Sequence, residues 1–223
     1  MVQEFISEKH LNGTLSIFFA GWGMDARPFN DFCDGHECFD IMICYDYTDM
    51  SFDYGKIDRY DNIIVTAWSF GVYAADKSLK DCSKIIRATA VNGTPLPAND
   101  IYGIPYGIFT GTLKGLSNTS VMKFRKRMCG DIETYGDFMS KAPERSLESL
   151  HDELEAVLLD AHDGLPQKGI WTEALIGTKD RIFPPANQER YWKEAMTGCE
   201  TMEAPHYCPN ILKTKVNGQH GNG

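Results

Sequence analysis

Ile63-Ile64-Val65-Thr66-Ala67-Trp68-Ser69-Phe70-Gly71-Val72 is the stretch whose reading decides the fold. Four β-branched residues in a row suit a buried strand. The small residues that follow suit a tight turn with a serine at its apex, and the chain then takes on a helical pattern. Strand, serine turn and helix make up the nucleophile elbow, whose pattern is G-x-S-x-G. Here it reads Ala67-Trp68-Ser69-Phe70-Gly71, with alanine in the first glycine position. Alanine still meets the need for a small residue in a crowded turn. The elbow proposes Ser69 as a nucleophile toward an acyl group.

Working outward, other strand candidates flank this one. They are Glu4–Ser7, Leu15–Phe19, Ile41–Tyr45, Ala88–Asn92, Thr172–Ile176 and Glu200–Glu203. Asn12-Gly13 marks a turn between the first two. Several runs are continuously apolar, as expected of a parallel sheet covered on both faces. Helical patterns lie between them, at Phe70–Leu79 and after Pro184-Pro185 through Met196. The expectation is an α/β-hydrolase fold: a mostly parallel central sheet flanked by helices.

The strand–helix rhythm stops between about residues 99 and 165. Glycines 103, 107, 111 and 115 open this stretch, and helical patterns follow. From Ser146 to His162, Leu147, Leu150, Leu154, Leu158 and Ala161 recur at spacings of three or four and mark one apolar face. Ser146 can cap that helix and Gly164 can end it. The expected organisation is a hydrolase core from residues 1–98 and 166–215, a helical cap insertion at 99–165 after the fifth strand, and a flexible tail at 216–223. A cap there lies over the carboxyl ends of the strands, where open α/β sheets bind ligands.

A serine hydroxyl is a weak nucleophile and needs a base, which in turn needs an orienting acid. In this fold the order along the chain is Ser, then Asp or Glu, then His. Asp180 lies in the loop after the strand ending at Ile176. His206 lies in the loop after the last strand, one helix and one strand later. His10 and His36 precede Ser69, His151 and His162 belong to the cap region, and His220 sits in the polar tail. Asp160 and Asp163 are poorer acids because they also belong to the cap. Asp180 has an alternative role as a helix-capping turn residue.

An oxyanion requires N–H donors aimed at the developing charge. Loss of one typically costs about 2.7–4 kcal/mol of transition-state stabilisation. Phe70, directly after the nucleophile, offers one donor. Phe18-Phe19-Ala20-Gly21-Trp22-Gly23-Met24-Asp25 is an early glycine-rich loop after a strand, and Trp22 N–H is the candidate for the second. The same Gly-Trp-Gly also suits a plain turn with a core tryptophan.

Composition bounds the rest. The chain has 223 residues, 43% hydrophobic and 24% charged, in keeping with one globular unit. Its net charge of −9 argues against nonspecific nucleic-acid binding. No apolar run approaches the roughly 20 residues that span a bilayer. No basic region followed by an apolar one opens the chain, so the expected compartment is the cytoplasm, with no membrane partner. Seven cysteines at scattered spacings read as free thiols rather than as disulfides or a zinc site.

The charge is uneven. Residues 25–61 carry ten acidic and three basic side chains, whereas 101–130 carry none acidic and five basic: Lys114, Lys123, Arg125, Lys126 and Arg127. A basic island on an acidic chain is a candidate docking surface for an acidic partner, although a solvated helix face has the same composition.

Two motifs together, Phe18–Asp25 and Ala67–Val72, resemble the BioG-type pimeloyl-[acyl-carrier protein] methyl ester esterases of biotin synthesis. Asn92-Gly93-Thr94-Pro95-Leu96-Pro97 and Ala204-Pro205-His206 extend the resemblance over most of the chain. It implies hydrolysis of a carrier-bound methyl ester, releasing methanol and an ω-carboxylate, without a metal or other cofactor. By position it implies Ser69, Asp180 and His206 as the triad and Trp22 and Phe70 as the oxyanion hole. The implied partner is an acyl carrier protein bearing a pimeloyl methyl ester. As carrier proteins are acidic, Lys123, Arg125, Lys126 and Arg127 become candidate docking residues. Tyr102, Tyr106, Phe109 and Phe124 are candidates for an acyl channel or for ordinary cap core. A monomer is expected. Two other readings remain open: a general esterase or thioesterase for small acyl groups, and an inactive hydrolase-like binding module.

Overall fold

The computed structural model describes residues 1–9, 13–33, 39–161 and 164–218. His10, Asn12, His36, Cys38, His162, Asp163, His220 and the tail from 219 onward lie outside the described residues. Among those described, seven strands form one sheet: β1 (Val2–Ser7), β2 (Thr14–Phe19), β3 (Asp40–Tyr45), β4 (Asn62–Trp68), β5 (Ile85–Val91), β6 (Glu173–Gly177) and β7 (Gly198–Met202). Their order is β1-β3-β2-β4-β5-β6-β7. Every pairing is parallel except β1 against β3. The fold is that of the α/β-hydrolases.

Parallel register aligns the carboxyl ends. Phe19 pairs with both Cys44 and Ala67, Ala67 pairs with Ala90, and Gly177 pairs with Met202. The loops after β2, β4, β5, β6 and β7 therefore leave along one edge.

Both faces of the central strands are buried, which explains their continuous apolar runs. Leu15, Ile17 and Phe19 of β2 and Ile63, Val65 and Ala67 of β4 join one core. It also contains Tyr73 and Leu79 of α1 (Phe70–Leu79) and Trp192 of α6 (Pro185–Glu194). Phe18 and Trp68 face the opposite core, with Phe29 and Phe32 of a short 3₁₀ helix (Arg27–Phe32).

Four helices lie between β5 and β6: α2 (Tyr106–Lys114), α3 (Asn118–Cys129), α4 (Ile132–Ser140) and α5 (Leu147–Leu159). Capping fixes their starts. Ser117 and Ser120 form a reciprocal capping box on α3, Asp131 caps α4, and the Ser146 hydroxyl accepts the Ser149 N–H at 3.1 Å on α5. The buried stripe of α5 is Leu150, Glu153, Leu154 and Val157, while Leu147, Leu158 and Ala161 are half-buried.

A final helix, α7 (Pro209–Val216), went unread in the sequence. Only eight residues long, it is stable by tertiary burial rather than by propensity. Val216 is fully buried and its carbonyl accepts the Ser16 hydroxyl at 2.7 Å, so the chain stays anchored through that residue.

Candidate active site

Ser69 is the hinge of the elbow. Its φ of 58° and ψ of −123° lie where non-glycine residues are rarely found. That strain is held by packing on both sides. The Ser69 N–H donates to Val91 O at 3.0 Å, and a Cβ added at Gly93 would stand 2.4 Å from Ser69 O. A Cβ at Gly71 would stand 2.1 Å from Phe19 O. Ala67, by contrast, is still inside β4 and faces the core, where a methyl group fits. The elbow thus needs glycine at its second position and only a small residue at its first. Gly71→Ala is expected to cost about 3 kcal/mol or more of stability by overpacking against β2 backbone, measured as a lowered denaturant midpoint. An unchanged midpoint would contradict this account of the turn.

The structure brings Ser69, Asp180 and His206 together. His206 Nε2 lies 3.0 Å from Ser69 Oγ, and His206 Nδ1 lies 2.8 Å from Asp180 Oδ2. All three are buried. Asp180 follows β6 in a turn that closes on itself, with Oδ1 accepting the N–H groups of Ile182 and Phe183, each at 2.8 Å. Oδ2 accepts the Gln188 side-chain amide at 3.2 Å in addition to its bond with His206. These contacts fix the carboxylate against rotation and direct Oδ2 at the imidazole.

His206 is located from behind. Its carbonyl accepts the Trp68 indole N–H at 2.7 Å and the Asn92 amide at 2.8 Å. Asn92, at φ +50°, also accepts the Gly177 N–H at 2.6 Å through its Oδ1. One side chain therefore ties the end of β5 to the strand before Asp180 and to the loop holding His206. Cys208 lies nearby, but burial pushes its thiol up to about 12, so it stays protonated and poorly nucleophilic.

Trp22 and Phe70 both line the cavity that reaches Ser69. Both are buried, and neither backbone N–H donates to an acceptor among the described residues. Buried N–H groups are normally paired. Two left free beside one serine can serve a ligand oxygen.

The cavity measures about 290 Å³. Its walls are mostly apolar, with Ile104, Phe109, Phe124 and Leu154 contributed by the segment between β5 and β6. Phe109 stacks on Phe70 with ring centroids 5.5 Å apart. Tyr102 and Tyr106 are not among the lining residues, and the Tyr102 hydroxyl donates to Glu194 at 2.6 Å. Arg127 and Arg181 add charge to the lining.

The same two arginines border a neighbouring groove with Lys123, Lys126, Asp131 and Ile132. Lys123, Lys126, Arg127 and Arg181 are exposed there, and Ile132 is 81% exposed. Arg125 stands apart, since its helical position turns it away. It is half-buried and donates to Pro143 O at 3.2 Å.

Sequence reasoning missed Asn92, Gln188 and Arg181. Asn92 carried a weak signal, an asparagine at a strand end before Gly-Thr-Pro. Gln188 and Arg181 carried none, because their roles depend on which loops meet.

Comparison with known proteins places the fold and the family. The sheet order and its flanking helices define an α/β-hydrolase fold, and solved structures share the frame. An esterase from Exiguobacterium antarcticum superposes with a TM-score of 0.73 at 16% identity, over 97% of this chain and 92% of that one. The sequence profile described as "Pimeloyl-ACP methyl esterase BioG" matches residues 1–213, and this chain belongs to the BioG family. BioG from Haemophilus influenzae superposes with a TM-score of 0.83 at 34% identity, over 96% of this chain and 97% of that one. A Bacteroides fragilis protein named malonyl-[acyl-carrier protein] O-methyltransferase is 41% identical over 201 residues. That match takes in 90% of this chain, which spans 41% of the other protein's length. Among the described residues, no helix is long and apolar enough to cross a membrane.

Proposed function

We propose that this protein hydrolyses the methyl ester of pimeloyl-acyl-carrier protein in biotin biosynthesis, as a cytoplasmic serine esterase. The observation that carries the mechanism is the buried chain Asp180–His206–Ser69, with contacts of 2.8 and 3.0 Å, at a strained elbow. Ser69 Oγ attacks the ester carbonyl while His206 Nε2 takes its proton. The carbonyl oxygen becomes an oxyanion and meets the N–H groups of Trp22 and Phe70. Methanol leaves with a proton from His206. Water, deprotonated by His206, then attacks the acyl-enzyme and frees the carboxylate and Ser69. Asp180 holds the imidazole in the tautomer whose Nε2 can accept. The chemistry needs no metal or other cofactor.

Substrate choice is supported by family membership and by the cavity. Residues 99–165 act as a cap whose apolar residues shelter the acyl chain. The name of the Bacteroides fragilis relative, which describes a methyltransferase acting on a carrier-bound acyl group, supports an acyl-carrier partner for the matched segment. The basic groove fits an acidic carrier helix: Lys123, Lys126, Arg127 and Arg181 would meet carboxylates and the carrier's phosphate, and Ile132 an apolar residue.

The test compares carrier-bound pimeloyl methyl ester with a small free methyl ester. Hydrolysis of the carrier-bound ester at far higher kcat/KM is expected. Equal rates would favour a general esterase, and no turnover of either would favour a binding module. Lys123→Glu/Lys126→Glu is expected to raise KM for the carrier substrate about 10-fold or more, equivalent to about 1.4 kcal/mol, and to leave the free ester within about twofold. Parallel loss on both esters would remove the docking argument.

A further inference from the structure

We infer that Glu153, on the cap-side helix α5, is a positioning residue for the oxyanion loop. The inference rests on Trp22 N–H serving as an oxyanion donor.

Helical spacing carries Glu153 inward between Leu150, Leu154 and Val157, and its side chain is fully buried. A buried carboxylate persists only with partners. Three donors meet this one. Arg145 Nη1 lies at 2.6 Å, the Gly23 N–H at 3.0 Å and the Tyr47 N–H at 3.2 Å. Arg145 is itself 7% exposed and pairs also with Asp46 at 3.0 Å. Burial holds the Glu153 carboxyl above the usual carboxylate range, against the opposing pull of Arg145 and the two N–H donors.

The placement of those donors points beyond stability. Gly23 directly follows Trp22, so its N–H sits one peptide away from the proposed oxyanion donor. The Trp22 indole N–H donates to Leu150 O of the same helix at 3.0 Å. Gly23 has φ +72°, and a Cβ there would stand 2.8 Å from Leu150 Cδ2, so its backbone lies directly on α5. Helix α5 thus grips Trp22 by its side chain and by the peptide after it. Those two grips set the rotation of Trp22 about its Cα, and with it the aim of the Trp22 N–H into the cavity. Apolar residues in place of both Glu153 and Arg145 could fill the same space at similar stability, but they could not hold the Gly23 N–H.

The experiment measures hydrolysis of p-nitrophenyl butyrate and inhibition by a trifluoromethyl ketone of matching chain length, which adds to serine as an oxyanion. Glu153→Gln and Glu153→Asp are compared with wild type and Ser69→Ala. Glu153→Gln is expected to lower kcat by about 10- to 100-fold with KM within about threefold, and to weaken ketone inhibition by a similar factor. The unreactive amide of the same chain should bind as in wild type. Glu153→Asp keeps the charge and withdraws the carboxylate by one methylene, so a smaller loss of the same pattern is expected. It also decides the matter if Glu153→Gln does not fold. Wild-type kcat and ketone inhibition in the folded aspartate variant would overturn the inference, as would equal losses in ketone and amide binding. If Ser69→Ala kept its activity, the reading of the active site itself would fail instead.

Discussion

Replacing Ser69 by alanine is expected to lower kcat for ester hydrolysis by about 10⁵- to 10⁶-fold while leaving the fold in place. Among the described residues, the one side-chain partner of Ser69 Oγ is His206, at 3.0 Å, so loss of the hydroxyl breaks no structural network there. The strained backbone at residue 69 is held by β5 and by the glycines at 71 and 93, and none of these depends on the hydroxyl. Thermal unfolding should therefore shift little, by about 1 kcal/mol at most. What remains is the rate that the oxyanion donors and substrate binding supply without a nucleophile. The measurement is methanol release from the carrier-bound methyl ester, with a fluorophosphonate label confirming which serine reacts. Near wild-type turnover in the variant would exclude Ser69 as nucleophile.

Asp180→Asn is expected to cost about 10⁴-fold in kcat with KM little changed. The Asp180 carboxylate now accepts from four groups: His206, Gln188, Ile182 and Phe183. An amide has only one oxygen to offer. If that oxygen keeps the two backbone N–H groups, its NH₂ faces His206 Nδ1. The imidazole is then driven to the tautomer with its proton on Nε2, which cannot take the serine proton. If the amide flips instead, its NH₂ confronts the N–H groups of Ile182 and Phe183, and the loop shifts. Either outcome lowers kcat, and a crystal structure of the variant would separate them. A loss confined to KM would show that Asp180 acts in binding rather than in orienting the base.

The sheet and the site differed in how readable they were. The strands were legible because both faces of β2, β3 and β4 are buried, which forces continuous apolar runs. The meeting of Ser69, Asp180 and His206 was legible because this fold brings together the loops after particular strands, so order along the chain carries information. The placement of Trp22 and Phe70 at the cavity followed by the same logic. Glu153 was hidden for the opposite reason. On the helical pattern of α5 it reads as an ordinary glutamate beside an apolar stripe, and only the meeting of α5 with the loop after β2 makes it internal. Arg125 and Lys126 were indistinguishable as neighbouring basic residues until the rotation of α3 turned one toward Pro143 and left the other in the groove.

The sequence by itself determined the hydrolase frame, the elbow and the order of Ser69, Asp180 and His206 along the chain. These follow from periodicity, from small residues where backbones crowd, and from the fixed sense of parallel crossovers, all of which are local or topological. Only the tertiary structure decided what holds those groups in place. Asn92 and Trp68 on the His206 carbonyl, Gln188 on Asp180 and Glu153 on Gly23 are contacts between segments far apart in the chain. A hydrogen bond that acts over 3 Å depends on how elements pack, and no pattern within a single element encodes it.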